Sequence, residues 1–272
     1  MPAYHELTLR NAGYIVDEVQ EKIRATHLLI AGCGIGSSFA EAALRLGFEN
    51  VTLADGDTVS AHNLNRQNFT AEDIGQPKVQ ALARRLRAIN PAANVREFAA
   101  YLDPSNIVEM VAKADLIFDT IDFLDLVAIV GLHDECRRQK KPAITALAVG
   151  WGAGCVYFPV AGAYSLRRLF GLREDGPVEN DSYVAAFAPL VKRLEGRLDP
   201  DVIKVVKQAL TVMQDGTPCP ASQVSPGAFA VGALGGTLAV RIVAGLPVLP
   251  APHLLLADMP TALTTAGIDL SA

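Results

Sequence analysis

A chain of 272 residues, half of them hydrophobic, can bury a sizeable core without disulfide or metal staples. Its formal charge of −5 lacks the basic excess that non-specific nucleic-acid binding requires, so DNA is not an expected partner. Cys33, Cys136, Cys155 and Cys219 lie far apart and form no CxxC pair, which argues against a disulfide framework or a structural zinc site.

The first residues carry no basic-then-apolar leader, and no charge-free apolar run is long enough to span a bilayer. The stretch 228–245 comes nearest, but Arg241 interrupts it and its small residues suit a buried helix. A soluble, cytoplasmic protein without membrane association is expected. Residues 1–26 read as a polar, partly helical arm. THLLIAG (26–32) is a β-type run, and SSFAEAALRLG (37–47) has helical spacing closing on Gly47 as C-cap. NVTLAD (50–55) is a second strand. An amphipathic helix then runs from about Pro77 to before Pro91. NVREFAA (94–100) is a third strand, 103–114 a helix with Asp103 as N-cap, and DLIFDT (115–120) a fourth strand. Residues 127–139 are helical again and PAITALAV (142–149) is a fifth strand. GAGCVYFPV (152–160) reads as an antiparallel strand.

Strands alternating with helices over this span imply parallel βαβ units. The pattern changes at Ala163, where charged helical stretches run to about Pro220 as an insertion lobe. The chain returns with an apolar helix over 229–244 and a last strand at HLLLAD (253–258). The fold class expected is α/β: a doubly wound, Rossmann-like, mainly parallel sheet with a helical insertion and an antiparallel C-terminal part. One domain, 1–272, accounts for all of it: the arm, a βαβ core at 27–160, the insertion and crossover region at 163–220, and a return to the core at 221–272.

Gly32, Gly34 and Gly36 lie between the first strand and its helix, where glycines let the backbone turn tightly and approach a phosphate at a helix N-terminus. The spacing is G-x-G-x-G, and a turn that merely needs small residues has the same pattern. Asp55 ends the second strand where a Rossmann fold places a ribose-binding carboxylate, so up to this point a dinucleotide enzyme and an ATP-cleaving enzyme look alike. The polar run after it separates them. Asn63, Arg66 and Gln67 occupy a loop and Lys78 opens the next helix, beyond anything an intact dinucleotide requires. Cleavage of ATP needs such cations and a metal to neutralise the triphosphate. Asp119 and Asp122 end the fourth strand at the carboxyl edge, where a carboxylate can hold Mg²⁺ through one or two oxygens.

GCGIGSS, DGDTV, NLNRQ, GQPKV and DTID, in that order and spacing, resemble the ubiquitin-activating enzyme superfamily, which includes the bacterial ThiF, MoeB and HesA adenylyltransferases. The likeness covers about residues 1–160 and resumes from about Pro218 to Ala244. It implies ATP and Mg²⁺ as cofactors, with the Gly32–Gly36 turn and Asp57 in the nucleotide site. Asp55 would hold the ribose hydroxyls. Asn63, Arg66 and Lys78 would bind the phosphates, Gln67 would support that loop, and Asp122 would bind Mg²⁺. Arg10 matches an arginine that reaches the partner's phosphates in homodimeric members; an ordinary surface arginine is the other reading. The reaction implied is attack of a carboxylate on the α-phosphate of ATP, giving an acyl-adenylate and pyrophosphate. The usual substrate is the tail of a small ubiquitin-like or sulfur-carrier protein, and other members act on peptides or a carboxylated tRNA base.

The chain departs from the pattern in several places. It lacks the cysteine pairs of zinc-binding members, so no zinc is expected, and its turn is one glycine short. An arginine common in the helix after the metal-binding aspartate is missing, which leaves Asp125 among apolar residues. Cys219 matches a crossover-loop cysteine that carries an acyl or persulfide group in some members and is dispensable in others. Cys33 reads as a small turn residue, Cys136 and Cys155 as core. His62 reads as a solvent-facing loop residue, and Trp151 either lines a substrate channel or belongs to the core. The alternatives are a non-catalytic ATP-binding protein and an NAD-dependent oxidoreductase.

Overall fold

The computed structural model describes residues 3–122, 125–178, 181–214 and 222–268. The expected strands form one seven-stranded sheet in the order β3-β2-β1-β4-β5-β6-β7. They are β1 (His27–Ala31), β2 (Asn50–Ala54), β3 (Asn94–Phe98), β4 (Leu116–Asp119), β5 (Ala143–Val149), β6 (Gly152–Phe158) and β7 (Leu255–Ala257). The first five are parallel, whereas β6 pairs with β5, and β7 with β6, in antiparallel fashion. The mixed sheet and its antiparallel end agree with the fold expected from the sequence.

Of the parallel strands, β1, β2, β4 and β5 are largely buried on both faces, with successive side chains alternating across the sheet, whereas the edge strand β3 buries only Val95. Leu28 and Ile30 of β1 join one core with Val51, Leu53, Phe118 and Ile144. Leu29 and Ala31 point the other way and join Ile117, Val111 and Leu132. The first face is covered by α3 (Gly36–Leu46), α4 (Lys78–Ile89) and α10 (Ser225–Val243), and the second by α5 (Ile107–Ala112) and α6 (Leu126–Arg138). Phe39 of α3 stacks on Phe118 of β4 with ring centroids 3.6 Å apart. Among the described residues α10 is the one helix long and apolar enough to cross a membrane, but half of it is buried in the protein. Its small residues explain why: a Cβ at Gly232 would come within 2.7 Å of the Ser38 carbonyl oxygen, so glycine there lets α10 lie directly on α3.

Two helix starts differ from the sequence reading. α10 begins at Ser225 rather than Phe229, because Pro226 presets the first turn. α5 has Asn106, not Asp103, as N-cap. The Asp103 carboxylate instead accepts from the Ser105 amide at 2.7 Å, which holds a turn ahead of the helix and delays its start. Gly47 does cap α3, at φ +106°.

The arm consists of α1 (Tyr4–Thr8), a 3₁₀ turn at Leu9–Asn11 and α2 (Asp17–Ala25). It is fastened to the carboxyl end of α3: Asn11 Nδ2 and Gln20 Nε2 donate to the Leu46 carbonyl at 3.3 and 2.9 Å, and Tyr4 Oη donates to that of Gly47 at 3.1 Å. In the insertion region, α7 (Leu166–Phe170) and α8 (Tyr183–Leu194) pack with α6 through Leu126, Val130, Phe170 and Ala186. α9 (Pro200–Gln214) meets the end of β5 through Val149, Val202 and Ile203.

Candidate active site at the carboxyl edge

In a sheet of this order the chain leaves β1 and β4 in opposite directions, and the crevice between them at their carboxyl ends is the expected ligand site. Gly32 closes β1 at φ +87°, with its amide donating to the Ala54 carbonyl at 2.8 Å. A Cβ on Gly32 would lie 2.5 Å from the Thr120 carbonyl oxygen, and one on Gly36 would lie 2.5 Å from Thr120 Oγ1. The glycines are therefore demanded by close approach to the end of β4, over and above any ligand.

Asp55 ties this turn to β2. Its Oδ2 accepts from the Cys33 amide at 2.6 Å and its Oδ1 from the Asp57 amide at 2.8 Å. Each carboxylate oxygen has a second lone pair, so both can still accept from hydroxyl groups. Cys33 is fully buried, and burial together with the nearby Asp55 carboxylate pushes its thiol well above its ordinary pKa. Cys136 and Cys155 are likewise buried thiols, raised by burial, in keeping with the core role read for them.

Lys78 is buried at the first position of α4, where its Nζ donates to Asp57 Oδ2 at 2.7 Å. Tyr101 donates its hydroxyl to the other oxygen of Asp57. Burial alone would raise the Asp57 carboxyl, but the Lys78 and Tyr101 hydrogen bonds outweigh it and hold the group below its ordinary value. In return the Tyr101 phenol is pushed up to about 12. The Tyr101 ring lies flat over Gly56, where an added Cβ would come within 2.6 Å of it. Nothing near Tyr101 in sequence announced that contact.

The loop after Asp57 is built from short turns. Asn63 is buried and its Oδ1 accepts from the Ser60 amide at 2.9 Å, capping the 3₁₀ turn Ala61–Asn63. Gln67 lies against Gly34, and its buried Oε1 has no hydrogen-bond partner among the described residues. Arg66 is half-buried. Its Nε donates to Gln223 Oε1 at 2.5 Å, and its Nη1 to the His62 carbonyl at 2.9 Å and to Asn65 Oδ1 at 2.8 Å. All three acceptors are neutral, and among the described residues no carboxylate pairs with it. Burial without an anion lowers its pKa. His62, read as a solvent-facing loop residue, is exposed and contributes its carbonyl here.

The two aspartates after β4 have separate surroundings. Asp119 is 1% exposed, with Oδ2 3.0 Å from both His133 Nε2 and Thr145 Oγ1, and Oδ1 accepting from the Ile121 amide at 3.1 Å. It braces the strand end from inside. Asp122 is exposed at the start of the following loop, its carbonyl accepting from the Asp125 amide at 2.9 Å. Asp125 N-caps α6 by accepting from the Ala128 amide at 2.9 Å.

Thus the structure gathers Gly32, Gly34, Gly36, Asp55, Asp57, Asn63, Arg66, Gln67, Lys78 and Asp122 around the strand ends. Arg10 is not among them. It is exposed on the arm, which is bonded to the far end of α3, roughly 15 Å of helix from Gly36. Cys219 lies outside the described residues. Trp151 is 51% exposed between β5 and β6, which rules out the core reading. Tyr101, Gln223 and His133 were missed. Tyr101 is itself exposed, Gln223 follows a stretch of sequence rich in proline, and His133 sits in an ordinary amphipathic helix, so none had a local signal.

The sequence model of the ThiF family matches residues 8–266. The chain belongs to the ThiF family. This ThiF-family chain is 33% identical over 152 residues to the molybdopterin-synthase adenylyltransferase of Haemophilus influenzae, a match covering 53% of the chain and 62% of the relative. It is 34% identical over 135 residues to the sulfur carrier protein ThiS adenylyltransferase of Escherichia coli, covering 49% of the chain and 53% of the relative. The tRNA threonylcarbamoyladenosine dehydratase of Escherichia coli matches over 197 residues at 28% identity, covering 71% and 70%. The chain thus spans between about half and six-tenths of the first two relatives. Among solved structures, PaaA superposes with a TM-score of 0.66 at 19% identity, covering 94% of this chain and 77% of that one. MccB of E. coli with ATP superposes at 0.63 and 19% identity, covering 89% and 66%. At such identities the structural likeness establishes the ThiF-type fold.

Proposed function

We propose that the protein adenylates a carboxylate with ATP, releasing pyrophosphate, and that the carboxylate ends a peptide or the tail of a small protein. The observation that carries this reading is Arg66, a half-buried guanidinium on the loop beside the glycine turn, held among the described residues only by neutral acceptors. A cation kept partly out of water without a counter-ion favours an incoming anion, and guanidinium geometry suits phosphate. With Lys78, it gives the crevice two cations for a triphosphate, which a dinucleotide with an intact pyrophosphate would not need. Family membership supports the same reading, as do relatives named for adenylating molybdopterin synthase and the sulfur carrier ThiS.

In this reading Asp55 accepts from the ribose, the first turn of α3 and Asn63 face the phosphates, and Arg66 and Lys78 offset charge as pyrophosphate departs. Asp122 fits a Mg²⁺ role by its chemistry and exposure, since one carboxylate with water and phosphate oxygens completes the ion's shell. Magnesium, when bound, neutralises the triphosphate and aligns it. Because the arm anchors Arg10 far from its own turn, Arg10 serves the site of a second copy in a homodimer. Cys219 remains the candidate for carrying the acyl group onward.

ATP–pyrophosphate exchange on the purified protein, with fractionated carboxylates supplied, tests the reaction. Exchange should depend on one fraction and vanish in Asp122→Asn while the far-UV spectrum and melting temperature stay unchanged. Mg-ATP binding with no exchange for any fraction would favour the non-catalytic reading. The arm is tested by mixing: Arg10→Ala should lose exchange, and so should Lys78→Met, whereas mixed heterodimers should regain up to about one quarter to one half of wild-type activity because one site is intact. No recovery on mixing would exclude trans delivery.

A further inference from the structure

Gln223 is 157 residues from Arg66 in sequence yet directs its side-chain oxygen onto Arg66 Nε at 2.5 Å. Its main-chain oxygen accepts from Asn65 Nδ2 at 3.0 Å, so the two contacts clamp residue 223 onto the loop from side chain and backbone together. Gln223 stands just ahead of α10, whose other contacts hold it on α3 and the sheet. The clamp therefore joins the candidate phosphate loop to a rigid part of the core.

The remaining restraints on Arg66 are equally specific. Nη1 is held by the His62 carbonyl and by Asn65 Oδ1, and Nη2 has no acceptor among the described residues. Two of three guanidinium nitrogens are thus fixed by the protein, which leaves the third with its two N–H groups for a ligand. Each of these described partners is neutral. A glutamate in place of Gln223 would offer the same oxygen in the same place but would neutralise the charge that an anion needs. Elsewhere this protein does pair its partly buried cations with acids: Lys78 with Asp57, Arg167 with Asp134 and Arg85 with Glu41. Arg66 is paired with no acid among the described residues, and Gln223 offers it a neutral amide instead.

We infer that Gln223 is a positioning residue for the nucleotide: it orients Arg66 toward the phosphates while leaving its charge unspent. The inference rests on the ATP-binding reading and adds a residue that works through Arg66 without touching the nucleotide. A side chain that merely filled space would tolerate a change of charge as well as a change of polarity, so charge is the property to vary.

Calorimetric titration of Mg-ATP into full-length protein decides it, using Gln223→Glu, Gln223→Met and each of them combined with Arg66→Gln. Gln223→Glu should weaken binding at least about tenfold, since a unit charge within hydrogen-bond distance offsets most of the cation's attraction for phosphate. Gln223→Met, which removes the acceptor but adds no charge, should stay within about threefold of wild type in affinity. It should lower the exchange rate more than it raises KM, because Arg66 is then free to turn. In the Arg66→Gln background the glutamate should cost less than about twofold. An unchanged affinity in Gln223→Glu would overturn the inference. So would equal losses in the glutamate and methionine variants, or an undiminished glutamate penalty without Arg66. Failure of the wild-type protein to bind Mg-ATP would instead remove the nucleotide reading itself.

Discussion

Lys78→Met is expected to lower ATP–pyrophosphate exchange by about two to three orders of magnitude, the usual loss when one fixed charge-stabilising donor is removed from a reaction centre. Lys78 is 7% exposed, and it reaches the crevice only because α4 begins at the residue after Pro77, which presents its side chain back toward Asp57. The methionine keeps the apolar stem that packs there. The partner left behind, Asp57, is about half exposed and retains its bond from Tyr101, so no buried charge is stranded. The fold should therefore survive, with a melting temperature within a few degrees of wild type. An activity within tenfold of wild type would show that Lys78 serves only its ion pair with Asp57. A collapsed melting temperature would make it a folding residue first.

Gly32→Ala should be the most damaging single-methyl change in the site. At φ +87° an alanine is strained by roughly 1–2 kcal/mol, and its Cβ would sit 2.5 Å from the Thr120 carbonyl oxygen and 2.9 Å from the Ile121 amide nitrogen. Those atoms are backbone at the end of β4 and cannot rotate away. Relief requires the β4–α6 connection to move, and with it Asp122. We expect a loss of about 3 kcal/mol or more in urea unfolding, together with loss of Mg-ATP binding. Gly34→Ala is the informative control. Its φ is ordinary and its nearest neighbour is the Gln67 side-chain amide at 3.1 Å, which can shift. That variant should lose clearly less stability. Equal stability of Gly32→Ala and wild type would show that the turn adapts and that its glycines answer to the ligand alone.

Much of this site was legible in the chain. Gly32, Gly34 and Gly36 stood between a β-type run and a helical period, Asp55 closed the next run, and Lys78 followed Pro77 at a helix start. Each is a local arrangement of neighbours, and local backbone preference is what short-range pattern records. The same holds for the strands, since apolar runs bounded by turns marked all seven, and for Gly47, whose position after a helical period required a left-handed cap. Where local reading failed, a local competitor was responsible: Ser225 and Pro226 have loop composition, yet proline also opens helices, and Asp103 had a turn of its own to hold.

What the residues do to one another was decided elsewhere. Asp119 and Asp122 are equivalent in sequence, three positions apart at a strand end. Only packing buries the first against His133 and Thr145 and leaves the second exposed. Arg10 carries no mark of distance from the glycine turn until Asn11 and Gln20 fasten the arm to Leu46. The neutral clamp on Arg66 joins segments far apart in the chain, and Tyr101 finds Gly56 across the edge of the sheet. By itself the sequence determined the α/β alternation, the turn chemistry and the kinds of charge available, because those depend on residues within a turn or two of each other. Which charges are paired and which are spared depends on where the sheet and helices carry each side chain. That outcome is a property of close packing among distant segments, and only the tertiary structure settles it.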